Sequence, residues 1–204
     1  MKKIVLASGS PRRRDILAGI GANFEVLPAN VDEIAFGKTS AYEIVKILSE
    51  KKALACLKAI DEDALIIGAD TLVAINGQIM GKPKDEASAF AMLKRLQGCK
   101  HSVYTGATVI NKTGDSYETA SIVDNTSVYL RKLEDEEIRA YIATREPFDK
   151  AGAYAIQGLG TLLVEKIEGD YNTVVGLPLV KLHLLLKRWG VDLANQRRIL
   201  AGVD

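Results

Sequence analysis

The chain has 204 residues, 48% hydrophobic and 26% charged, with a formal net charge of +1. That is the composition of an ordinary soluble globular protein, long enough for one sizeable core or two small lobes. The near-neutral total gives no basis for broad nucleic-acid or membrane-surface binding, so any attraction for an anion must be built locally.

Ile4 to Ala7 reads as a short buried strand. Ser10 stands where an N-cap belongs, Pro11 suits the first helical position, and Gly21 is a C-terminal stop for a helix that buries Ile16, Leu17 and Ile20. The first apolar stretch gives way to Arg12, Arg13 and Arg14 too soon for a secretory signal. Phe24 to Leu27 predicts a second strand, followed by a polar loop with Asp32 and Glu33. Ser40 and Glu43 form a capping-box pattern opening a helix through about Ala59. Ala64 to Ile75 is mostly apolar and ends at Asn76-Gly77, a hairpin signal. Asp85 caps a helix running to about Gln97, with Gly98 ending it. His101–Ile110 and Tyr117–Leu130 read as strands that pair antiparallel around Asn111 and Gly114. A helix with Ile138, Tyr141 and Ile142 on one face follows. Thr161–Ile167, the Glu168-Gly169 turn and Asn172–Val175 predict a further hairpin, and Pro178 starts a last amphipathic helix ending near Gly190. Strands mixed with helices, without repeat or linker, predict an α/β fold with one mixed sheet.

Two cysteines, Cys56 and Cys99, lack metal-type spacing. They argue against a disulfide scaffold and for a reducing cytosol. No uncharged apolar run approaches the ~18 residues needed to span a bilayer. The expectation is a cytoplasmic protein with neither a membrane nor a nucleic acid as partner.

Certain residues sit awkwardly in these elements. Asp70 lies inside Leu65-Ile66-Ile67-Gly68-Ala69-Asp70-Thr71-Leu72-Val73, where an ionised carboxylate needs a partner. That partner is either a structural lysine or arginine, or a ligand or metal that makes the residue functional. Lys51 and Lys52 both fall within the helix sector of Ile44, Val45, Leu48 and Ala55. Periodicity does not choose between them, and a lysine whose head snorkels to solvent is the plain reading of each. Ser8-Gly9-Ser10-Pro11-Arg12-Arg13-Arg14 joins a strand to a helix N-terminus, which offers N–H groups, positive dipole character and forked guanidinium donors. It is an anion site or a solvated turn. Gly81-Lys82-Pro83-Lys84-Asp85 and Glu33, taken alone, read as solvated loop. No Gly-x-x-x-x-Gly-Lys-Ser/Thr loop or dinucleotide fingerprint occurs, and His101 and His183 are isolated, against a histidine zinc site or a serine triad.

Five segments in order carry a resemblance. They are Leu6-Ala7-Ser8-Gly9-Ser10-Pro11-Arg12-Arg13, Gly68-Ala69-Asp70-Thr71, Gly81-Lys82-Pro83, Asp149-Lys150-Ala151-Gly152-Ala153-Tyr154 and Gly176-Leu177-Pro178. Together they resemble the Maf family of nucleotide pyrophosphatases, nearly end to end, as a single domain over residues 1–204. The resemblance implies an elongated mixed sheet with flanking helices, two lobes around a nucleotide cleft and likeness to the inosine-triphosphate pyrophosphatases. It also implies a homodimer.

It further implies a hydrolase that cleaves dTTP and UTP to the monophosphate and pyrophosphate, limiting incorporation of unwanted nucleotides. Ser8, Arg12, Arg13, Lys52 and Lys82 fall at family phosphate positions. Lys52-Ala53 matches the family Lys-Ala and so selects Lys52 over Lys51. Glu33 and Asp70 fall at acidic positions suited to Mg²⁺ or Mn²⁺, with Asp70 the catalytic group. Gln157, with Arg12 and Thr71, is expected to select thymine or uracil, an amide meeting O4 and N3–H together. The alternatives are the family branch acting on 7-methyl-GTP, which carries an acidic residue in place of Gln157, and a nucleotide-binding regulator of septum formation.

Overall fold

In the computed structural model, which describes residues 2–29, 31 and 39–195, strands and helices alternate from the start of the chain. Strand β1 (Lys3–Leu6) is followed by helix α1 (Pro11–Gly19), strand β2 (Glu25–Val26), helix α2 (Ala41–Leu57) and the long strand β3 (Ala64–Ile75). Both β2 and β3 pair with β1 in parallel, Leu6 standing opposite Val26 on one side and Ile67 on the other. The chain therefore winds outward to β2 first and then crosses back past β1 to β3. Residues alternate between the two faces of β3. Leu65, Ile67 and Ala69 pack with Leu17 of α1, and Ala64 and Ile66 pack with Ala53 and Cys56 of α2. The two helices thus cover opposite faces, as in a doubly wound sheet.

The chain continues through β4 (Gln78–Met80), α3 (Glu86–Leu96), β5 (Lys100–Thr113), β6 (Ser116–Leu130), α4 (Asp135–Ala143), β7 (Val164–Glu168), α5 (Tyr171–Val175) and α6 (Leu179–Lys187). The sheet has seven strands in the order β2-β1-β3-β5-β6-β7, with β4 added antiparallel to β3. This is the mixed sheet with flanking helices that the pattern predicts. The local signals were accurate because each needs only neighbouring residues. Asn76 (φ 50°) and Gly77 (φ 74°) make the two-residue left-handed turn between β3 and β4. Ser40 Oγ accepts from the Glu43 N–H at 3.3 Å while Glu43 accepts from the Ser40 N–H at 3.1 Å, closing the capping box of α2. Asp85 caps α3 by accepting from the Ser88 N–H at 2.7 Å.

One expectation is overturned. Asn172–Val175 is not a hairpin strand but part of helix α5, and residues Gly158–Leu163 form a 3-10 helix, so only Val164–Glu168 is extended, paired antiparallel with β6. The β-branched run Thr173-Val174-Val175 reads as strand, but Asp170 accepts from the Thr173 N–H at 2.7 Å and its hydroxyl at 2.9 Å. That local cap turns the backbone into a helix before β-propensity can act.

Two compact units divide the chain. The first comprises Met1–Asp70, Thr105–Asp124 and Gly176–Asp204; the second comprises Thr71–Tyr104 and Asn125–Val175. In the first unit, one cluster contains Ile4, Leu6, Leu65, Ile67, Val109 and Leu182, and the other Val5, Ala53, Ile66 and Ile110. Helix α2 lies unusually close to the strands beneath it. A Cβ on Gly68 would stand 2.2 Å from the Ser49 carbonyl oxygen, and one on Gly106 2.3 Å from that of Val45. Backbone cannot yield as a flexible side chain can, so both positions require glycine. No helix among the described residues is long and apolar enough to cross a membrane, and Cys56 and Cys99 are both unpaired thiols.

The core of the second unit gathers Val73, Leu93, Leu96, Val128, Ile138, Tyr141 and Leu163. Within it, His101 Nε2 and the Tyr154 hydroxyl are 2.6 Å apart and both residues are buried. Burial pushes His101 down from 6.5 to about 4, opposed by a backbone hydrogen bond to Cys99. The neutral ring accepts from Tyr154, whose own ionisation burial pushes upward. An unfolded histidine protonates near its ordinary value, so between that value and about 4 the unfolded chain holds the extra proton. Stability from this group is complete above about pH 6.5 and is lost as pH falls through the window. Wild-type unfolding free energy is expected to drop by about 2 kcal/mol from pH 7 to pH 5 through this residue. A His101→Gln variant, followed by denaturant melts at both pH values, should lack that part of the drop; an unchanged pH slope would contradict the assignment.

Candidate active site

The winding reverses between β1 and β3, and the carboxyl end of β1 at that reversal is where open α/β sheets bind ligands. The Ala7 N–H still donates to Ile67 O at 2.8 Å, after which the chain leaves the sheet at Ser8. Ser8 is buried, and its Oγ accepts from the Ser10 N–H at 3.3 Å and from Arg13 Nη1 at 3.0 Å. Arg13 lies in the first turn of α1 and points inward, its Nε donating to the Gly176 carbonyl at 2.7 Å. Burial holds its pKa below the usual 12.5, Asp70 pulling the other way and Arg12 adding to the depression. An arginine remains charged despite such a shift. The arginine run is therefore not uniform. Arg13 is fixed and buried, Arg12 is half-buried, and Arg14 is exposed beside Asp15, 3.4 Å away.

Asp70 shares its face of β3 with Ile66 and Gly68, the face that α2 covers. Lys52 stands next to Ala53, whose backbone nitrogen lies 2.6 Å from where a Gly68 Cβ would be. This close approach brings the Lys52 ammonium onto Asp70 Oδ1. The Asp70 side chain is 9% exposed and that of Lys52 16%, so both charges are largely withdrawn from water. It is Lys52 and not Lys51 that meets the carboxylate, a choice periodicity left open. Burying two ions costs desolvation that an apolar pair avoids, so the pair is poor evidence for a stabilising device.

Sequence reasoning missed the hydroxyl chain that ties α2 to β5 and β6. Ser49, one turn before Lys52 on α2, donates to the Lys46 carbonyl at 2.8 Å, so its oxygen must accept from Thr108, also 2.8 Å away. Thr108 in turn accepts from Ser121 at 2.8 Å. Hydroxyls from α2, β5 and β6 thus form one directed chain in which Ser49 and Thr108 are fully buried. The available signal was Thr108 within the apolar run Ala107-Thr108-Val109-Ile110.

Unit 2 holds three other predicted residues. Thr71 begins it, within β3. Lys82 is exposed on a loop whose Gly81 carbonyl accepts from the Gly152 N–H at 3.0 Å, bringing the Gly81-Lys82-Pro83 and Ala151-Gly152-Ala153 segments together. Gln157 is exposed and precedes the 3-10 helix Gly158–Leu163, with no side-chain cap to its backbone. Glu33 lies outside the described residues.

A sequence profile of the Maf-like proteins matches residues 3–189. The chain is 53% identical over 186 residues to the dTTP/UTP pyrophosphatase of Thermoanaerobacter sp. (strain X514), an alignment covering 91% of this chain and 96% of the relative. It is 46% identical over 192 residues to the dTTP/UTP pyrophosphatase of Pelotomaculum thermopropionicum, covering 94% and 99%. The dTTP/UTP pyrophosphatase of Lachnoclostridium phytofermentans is 47% identical over 198 residues, covering 96% and 100%. With the profile matching nearly the whole length and relatives this similar, the chain belongs to the Maf-like protein family.

Proposed function

We propose that the protein hydrolyses dTTP and UTP between the α and β phosphates, releasing the nucleoside monophosphate and pyrophosphate. The observation that carries this reading is the group formed by the buried Ser8 and Arg13 at the β1–α1 turn, the buried Asp70 of β3 and the largely buried Lys52 of α2. It combines fixed cationic donors with one carboxylate, which is what a polyanionic substrate attacked by water requires. The pyrimidine preference is supported by relatives named dTTP/UTP pyrophosphatase and by Gln157.

In this reading Asp70, with Oδ1 held by Lys52, takes a proton from the attacking water through its other oxygen. The water oxygen bonds to Pα, the Pα–O bond to the bridging oxygen breaks, and the electron pair leaves with pyrophosphate. Arg12, Arg13, Lys52 and Lys82 bind the phosphates, and Ser8 keeps Arg13 oriented. Thr71 and Gln157 are assigned to the base by the resemblance.

No group of three or more His, Cys, Asp or Glu side chains that could hold a metal ion occurs among the described residues. Mg²⁺ commonly binds through one or two carboxylates and is completed by substrate phosphates. A single buried carboxylate amid phosphate-binding cations fits that donor set, so Asp70, with Glu33, would hold Mg²⁺ or Mn²⁺. When bound, such an ion neutralises charge on the phosphate oxygens. The resemblance also supports a cytoplasmic homodimer in which residues 1–204 act as one family domain.

Measured kcat/KM values for a panel of triphosphates in Mg²⁺ or Mn²⁺ test the proposal. dTTP and UTP are expected to exceed dATP, dGTP and 7-methyl-GTP by tenfold or more, the order available to a hydrogen-bonded base pocket. Preference for 7-methyl-GTP, or full activity in excess chelator, would overturn the corresponding part of the reading.

A further inference from the structure

The segment carrying Gln157 is held by a carboxylate that the proposed chemistry does not use. Glu146 accepts from the Tyr141 hydroxyl at 2.9 Å, from the Leu159 N–H at 3.1 Å and from the Gly160 N–H at 3.0 Å. Tyr141 relays the grip, its oxygen accepting from the Ala155 N–H at 3.3 Å. Thr161 closes the loop from the other side by donating to the Ile156 carbonyl at 2.9 Å.

The loop backbone is shaped around this group. Gly158 has a φ of +62°, and a Cβ there would lie 2.7 Å from Glu146 Oε2. A Cβ on Gly160 would lie 2.2 Å from the Ala155 carbonyl and 2.8 Å from the Tyr141 hydroxyl. Burial pushes the Glu146 carboxyl upward, but the Gly160, Tyr141 and Leu159 hydrogen bonds and the charge of Lys150 outweigh it and hold it below the ordinary range. It therefore stays an acceptor at working pH, as three donors require. A glutamine that braced its own loop would be tied to that backbone. Here the brace is Glu146, while Gln157 is exposed and makes no capping bond.

We infer that Glu146, acting with Tyr141, is a positioning residue for base selection: its carboxylate fixes residues 155–160 so that Gln157 is presented to the pyrimidine. The inference rests on the reading of this loop as base-selecting under the proposed function. The chemistry at the α–β bond does not pass through Glu146, so its loss should alter which base is accepted more than how fast phosphate is cleaved.

The test compares wild type, Glu146→Gln, Tyr141→Phe and Gln157→Ala on dTTP and dCTP, bases that differ at O4 and N3–H. Glu146→Gln removes the charge and one acceptor oxygen, so the dTTP over dCTP ratio of kcat/KM should fall by about tenfold or more, mostly through KM, with kcat on dTTP within about threefold. Tyr141→Phe, which deletes only one hydroxyl, should move the ratio in the same direction by a smaller factor and serves if Glu146→Gln does not fold. An unmoved ratio in the folded variants, with both substrates slowed equally, makes Glu146 a structural brace only and overturns the inference. Gln157→Ala separates the two claims. It should lower the ratio at least as far as Glu146→Gln; if it leaves the ratio intact while Glu146→Gln collapses it, Gln157 does not read the base and the inference that Glu146 acts by presenting Gln157 is overturned.

Discussion

Asp70→Asn is expected to keep triphosphate binding and to lower turnover by roughly 100-fold or more, the scale of losing a general base. The amide is nearly the same size, so the packing of β3 beneath α2 at Gly68 is undisturbed. What changes is charge. An asparagine neither takes the proton of the attacking water nor balances the Lys52 ammonium that Asp70 now holds. Lys52 stays available to the phosphates, so binding should be kept while kcat falls. Purified folded variant assayed by single turnover and by equilibrium binding checks both halves. Near-normal kcat would remove Asp70 from the chemistry.

The second large effect concerns the pair itself. Removing one partner of a buried ion pair strands the other charge, at a cost of about 3–5 kcal/mol. Lys52→Met should therefore destabilise the protein by about 3 kcal/mol or more, because the Asp70 carboxylate loses the ammonium that now meets it. Adding Asp70→Asn should then recover a large part of that loss, since the double variant has no stranded carboxylate. A thermodynamic cycle in denaturant melts measures this coupling. Simple additivity of the two single effects would mean that the ions are not coupled in solution. Lys51→Met should show no such coupling to Asp70→Asn, since it is Lys52 that meets the Asp70 carboxylate.

What the sequence made legible follows the range over which each feature is decided. The caps at Ser40 and Asp85, Pro11 at the head of α1 and the Asn76-Gly77 turn are settled within four residues, and they stand where expected. The segment after Gly169 failed because two local signals compete there, and the Asp170 cap prevails over the β-branched run. Features decided across the chain were illegible from periodicity. Lys51 and Lys52 occupy the same sector of α2, and how the helix lies on the sheet is set by the notches at Gly68 and Gly106 and by the Ser49–Thr108 bond. Arg13 looked no different from Arg12 or Arg14 until Ser8 and the Gly176 carbonyl anchored it, the latter 163 residues away along the chain. Asp70 was conspicuous because charge inside an apolar run is costly in any fold. Lys82 and Gln157 were not, being exposed loop residues that only the resemblance singles out. Glu146 escaped notice because its value lies in three donors brought to it from Tyr141, Leu159 and Gly160.

In the proposed reaction water attacks Pα and pyrophosphate leaves. Hydrolysis of dTTP in isotopically heavy water, with products resolved by mass spectrometry, tests it most directly. dTMP and pyrophosphate are expected as the initial products, with the heavy oxygen in dTMP and none in pyrophosphate. dTDP with orthophosphate, or heavy oxygen in the pyrophosphate, would contradict it.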